Sequence, residues 1–75
     1  MFGGHMPTIK YYRRILGWSQ YDLARLARLN PNTVRKAENG KPISGQTAIA
    51  IVDAFNEALG EHMLVRDIEG LNVTV

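Results

Sequence analysis

Apolar residues recur at helical spacing along most of the chain, and polar capping residues and glycines break the pattern at short intervals. Ile9, Tyr12 and Leu16 fall at i, i+3 and i+7 and predict a first helix over 8–16. Thr8 stands where a cap belongs, and Gly17 where a left-handed stop belongs. Leu23, Leu26 and Ala27 form the apolar face of a second helix that opens at Ser19. There Asp22 can answer the Ser19 N–H in a capping box, and Trp18 is the apolar residue placed to act as a staple. The small Ala24 suits a close helix crossing. A third helix opens at Asn30, with Pro31 at the first helical position, where its missing N–H costs nothing. Its inner face is narrow, Val34 and Ala37 alone; it ends at Asn39-Gly40, and Pro42 prevents a restart.

The fourth helix opens near Ser44 and runs through Ala48, Ile49, Ile51, Val52, Phe55, Ala58 and Leu59 to Gly60. It is the most apolar segment and is expected at the buried centre. Beyond Gly60 the pattern forks: Met63, Leu64, Val65 and Ile68 fit a short fifth helix, whereas Asn72-Val73-Thr74-Val75 alternates as a short strand does. Residues 1–7 carry no pattern and are expected to be disordered, the His5-Met6 pair being one that a common cloning site encodes. The reading is therefore an all-α, compact domain of four to five helices over 8–69, with a C-terminal tail over 70–75.

With 75 residues there is room for one domain and a small core, not for a deep, walled active site. The absence of cysteine excludes disulfides, thiolate metal sites and thiol nucleophiles. No apolar run approaches the roughly 18–20 residues of a membrane span, and no basic-then-apolar leader stands at the start, so a cytoplasmic protein without a membrane partner is expected. Charge is segregated. Over 8–41, eight cations (Lys10, Arg13, Arg14, Arg25, Arg28, Arg35, Lys36, Lys41) face Asp22 and Glu38, a net of +6. Over 42–75, Arg66 faces Asp53, Glu57, Glu61, Asp67 and Glu69, a net of −4. A polyanion is the simplest partner for the basic half. No Ser/His/Asp arrangement, metal-spaced cluster or phosphate-cradling glycine loop is present, and His5 and His62 lie far apart. Neither an enzyme, nor a cofactor, nor a metal is expected.

Only Arg28-Leu29-Asn30 separates the second and third helices, a link that forces a steep crossing. The third helix then projects Asn32, Thr33, Arg35 and Lys36 on its polar side, as a helix entering the DNA major groove requires. The run Ser19-Gln20-x-x-Leu23-Ala24, then Asn30-x-x-Thr33-Val34, then Glu38-Asn39-Gly40 resembles the helix-turn-helix of the Cro and phage-repressor (XRE) family. The resemblance covers about 9–68. It departs at Arg28, where the family commonly has glycine, and at Ala37, where a larger aliphatic residue is usual; Trp18 or Phe55 is then needed to fill the space.

The resemblance implies a lambda-repressor-like fold and a sequence-specific, double-stranded DNA-binding transcriptional regulator, a repressor of the Cro type among them. Its recognition helix spans about 31–39, and it acts as a homodimer on a palindromic operator. It further implies that Asn32, Arg35, Lys36 and Pro31 contact bases, with Asn32 suited to adenine and Pro31 to a thymine methyl. Ser19, Gln20, Thr33, Asn39 and Lys41 are implied as phosphate contacts, Thr33 being equally suited to a local backbone bond. Glu38 is implied to pair with Arg13 and brace the third helix against the first. The apolar Met63–Val65 stretch and Val73-Thr74-Val75 suit either a dimer surface or packing within the chain. The alternative reading is an interaction module, antitoxin-like or polymerase-associated, whose main partner is a protein bound by the acidic half.

Overall fold

The computed structural model describes residues 7–74, so the expectations for residues 1–6, His5 among them, and for Val75 lie outside the described residues. Four α-helices, α1 (Ile9–Leu16), α2 (Gln20–Ala27), α3 (Pro31–Glu38) and α4 (Gly45–Leu59), surround one core. Each starts at the polar residue the sequence marks. The Thr8 hydroxyl accepts from the Tyr11 N–H at 3.2 Å, and Ser44 from Thr47 at 3.1 Å. Asn30 accepts from Asn32 at 2.8 Å, and Ser19 and Asp22 exchange the two bonds of a capping box, at 3.0 and 2.9 Å. Each helix also ends alike: the N–H groups of Trp18, Leu29, Lys41 and Glu61 reach back to the carbonyls of Arg13, Ala24, Lys36 and Asn56, five residues before. Three of these ends turn on glycine. The fourth turns on Arg28 at φ 58, the one non-glycine residue with positive φ among the described residues.

Phe55, Leu23, Ile51 and Val34 are fully buried at the centre. Ala24, Ala37 and Ala48 are also buried, and their small side chains let α2, α3 and α4 approach closely. Three aromatic rings also pack together: those of Tyr12 and Trp18 lie 5.3 and 5.8 Å from that of the buried Phe55.

Three details differ from the pattern read along the chain. Leu26 and Ile49, expected inside, are about half exposed. The stretch after Gly60 forms no fifth α-helix, only a single 3-10 turn at Val65–Asp67. Asn56 fixes this stretch by bonding both the N–H and the carbonyl of Met63, at 2.8 and 3.0 Å. The short strand does form, as β2 (Asn72–Thr74), and it pairs in parallel with β1 (Pro42–Ser44), a strand with no periodic signal of its own. Met63, Val65, Leu71 and Val73 thereby pack against the core, leaving Leu64 half exposed. Among the described residues no helix is long and apolar enough to cross a membrane.

Candidate nucleic-acid interface

Helix α3 has two buried side chains, Val34 and Ala37, on one side. At about 100° per residue the opposite arc holds Asn32, Arg35 and Lys36, and all three are exposed. Pro31 and Thr33 stand half-buried on the flanks. The arc is internally ordered: Arg35 Nη1 donates to Asn32 Oδ1 at 2.9 Å, an i,i+3 pair on the helix surface.

Glu38, at the end of α3, points away from this arc, toward α1 and α2. Its carboxylate accepts from Arg13 Nε, from Arg13 Nη2 at 3.0 Å and from Gln20 Nε2 at 3.2 Å. The remaining guanidinium nitrogen, Nη1, donates to the Trp18 carbonyl at 3.0 Å. Side chains of Arg13 and Glu38 are only 13% and 10% exposed, so the pair sits in a largely dry joint between helices. A bidentate Arg–carboxylate pair fixes angle as well as distance. The joint therefore sets how the C-terminal end of α3 lies against α1 and the start of α2. Gln20 is held by it at the edge of the surface, half-buried, rather than extended into solvent.

The start of α2 is exposed at Ser19, and the N–H groups of Gln20 and Tyr21, at the first two helical positions, have no acceptor within the helix. Asp22 closes the capping box there. Its carboxyl is held below the usual carboxylate range by the Ser19 N–H first, then by the Ser19 hydroxyl and by Arg25. Arg25 donates to Asp22 at 3.3 Å from an exposed position. Asn39, Gly40 and Lys41 follow α3 on the surface, before β1 carries the chain back inside at Ile43.

Of the residues singled out in the sequence, Asn32, Arg35 and Lys36 form one face. Asn39 and Lys41 continue from its C-terminal end, and Ser19 and Gln20 lie at the start of the preceding helix. Two bonds were not anticipated. The i,i+3 spacing of Asn32 and Arg35 carried a signal for theirs; nothing in the sequence signals that Gln20 meets Glu38, eighteen positions on.

The comparisons agree with this geometry. A family model described as Helix-turn-helix matches residues 9–62, the stretch from the first residue of α1 to just past α4. No curated protein and no solved structure matches the chain. The matched span contains the capped pair α2–α3, the Arg28 turn and the exposed α3 face. The chain belongs to the helix-turn-helix family of Cro and phage-repressor (XRE) type, a family of DNA-binding regulators.

Proposed function

We propose that the protein is a sequence-specific, double-stranded DNA-binding transcriptional regulator that acts as a homodimer on a palindromic operator. The observation that carries this is the outer face of α3, on which Asn32, Arg35 and Lys36 are exposed together, directly opposite the buried Val34 and Ala37. In this reading α3 lies in the major groove, about 12 Å wide, with those three side chains toward base edges and Pro31 against an apolar group. Ser19, Gln20, Thr33, Asn39 and Lys41 hold phosphates and fix the register. One helix with three outward side chains covers only a few base pairs. Two copies on half-sites about one turn, ~34 Å, apart supply the rest of the specificity.

The test is selection from a random duplex library, with binding of the recovered sequence measured at about 50 and about 200 mM salt. An enriched palindrome whose affinity falls steeply with salt is the expected result. Salt-dependent binding without an enriched sequence refutes base readout. No binding at either salt refutes the proposal and directs attention to a protein partner on the acidic half.

A further inference from the structure

We infer that Arg35 determines the base preference of α3 by occupying the Asn32 amide oxygen, so that the helix reads guanine. This deepens the reading of α3 as the base-contacting helix and rests on it. Lys36 and Arg35 carry hydrogen-bond donors and no acceptor. Among the three outward side chains the one acceptor is Asn32 Oδ1, and it already receives Arg35 Nη1 at 2.9 Å. The single carboxylate of α3, on Glu38, is turned inward and taken by Arg13 and Gln20. The face therefore offers donors to the groove.

The four bases answer such a face differently. Guanine presents two adjacent acceptors, O6 and N7; adenine presents N7 beside an N6 amino donor; cytosine presents an amino donor; thymine presents O4 beside a methyl group. An unencumbered Asn suits adenine, because its oxygen accepts from N6 while its nitrogen donates to N7. Here a guanidinium holds one of the two lone pairs of that oxygen, so the N6 amino group would have to share the acceptor with a cationic donor that weakens it and repels the approach. The Nε–Nη2 edge of Arg35 takes no part in the bond to Asn32. That edge is the fork that fits guanine O6 and N7.

The experiment uses the full chain and the duplex recovered by selection. Each half-site is expected to contain a guanine whose replacement by adenine weakens binding about five- to 160-fold, the range for one bidentate contact. Inosine, which keeps O6 and N7, should bind as guanine does, and 7-deazaguanine, which lacks N7, should not. Arg35→Ala frees the Asn32 oxygen and should reverse the order at that position, adenine above guanine. Asn32→Ala should keep guanine, because the Arg35 fork remains. Both side chains are exposed, so unchanged melting curves verify that the variants are folded. A recovered half-site without guanine, or an Arg35→Ala protein with an unchanged guanine-to-adenine ratio, overturns the inference. Failure to enrich any sequence is a different outcome, since it removes base readout by α3 altogether and this inference with it.

Discussion

Truncating Glu38 to alanine should destabilise the domain far more than removal of an ordinary surface carboxylate. The substitution deletes the acceptor for two bonds from Arg13 and one from Gln20. It leaves the Arg13 guanidinium, 13% exposed, with the Trp18 carbonyl as its one remaining acceptor. Exposed pairs are worth about 0–1 kcal/mol, whereas breaking a buried pair costs about 3–5 kcal/mol. With side chains only 13% and 10% exposed, the joint lies close to the buried limit. A loss of about 3 kcal/mol is expected after discounting for the remaining solvent. For a domain of this size that lowers the melting temperature by about 10–25 °C.

The assay is urea unfolding followed by circular dichroism at neutral pH, on Glu38→Ala, Arg13→Ala and the double variant. Both single variants should be strongly destabilised, each leaving an unpaired partner. The double variant should be less destabilised than the two losses summed, because no uncompensated charge remains. A Glu38→Ala loss below about 1 kcal/mol, or additive losses, would mean that the pair is solvated and braces nothing.

Arg28→Gly should stabilise the domain by a few tenths to about 1 kcal/mol in the same assay: relief of the left-handed strain outweighs the greater freedom of glycine in the unfolded chain. Asp22→Asn should flatten the acid limb of the stability curve. The Asp22 carboxyl titrates below its unfolded value, so its contribution is complete above about pH 4 and is lost as pH falls through the lowered folded value, a loss the variant cannot undergo. Phe55→Ala, which removes the fully buried ring beneath Tyr12 and Trp18, should cost about 3–5 kcal/mol and unfold much of the population on mild heating. Lys41→Ala should weaken every duplex alike and reduce the salt slope by about 1, with no change in the preferred sequence.

Helix boundaries were legible because each start has a side-chain cap and each end a left-handed residue, and both are local chemistry. Which flank of a helix turns inward was less legible. On α2, Leu23 and Ala27 define the inner stripe, with Ala24 on one flank and Leu26 on the other. Hydrophobicity favours Leu26, yet Ala24 is buried and Leu26 is about half exposed. The close approach of α3 and of α4 to α2 selects the small side chain. Ile49 is a different case: helical spacing places it on the polar arc of α4, with Gln46, Asp53, Asn56 and Glu57, and only its own hydrophobicity argues for burial. The strand β1 is three residues long and starts with proline, too short for alternation to register. It exists because β2 returns to pair with it from thirty residues on. The same distinction holds at the site. The outward arc of α3 follows from helical spacing, whereas the contact of Gln20 with Glu38 depends on how separate helices pack.

That contact bears on how so small a domain holds a recognition helix still. Helix α3 buries only Val34 and Ala37, which is little apolar area to resist rolling or tilting. Its start is held by the Asn30 cap and Pro31, and its end by the joint among Arg13, Glu38 and Gln20. The apolar contacts are non-directional. The bidentate pair is directional, and it ties α3 to α1 while Gln20 ties it to the start of α2, the helix whose N-terminus is read as a phosphate site. The base-reading face and that phosphate site are thereby referred to one rigid joint. A polar joint is not needed for stability alone, since apolar residues of similar volume can serve as well. Its value here is angular, and that explains a nearly buried charge pair in a domain with so little core around it.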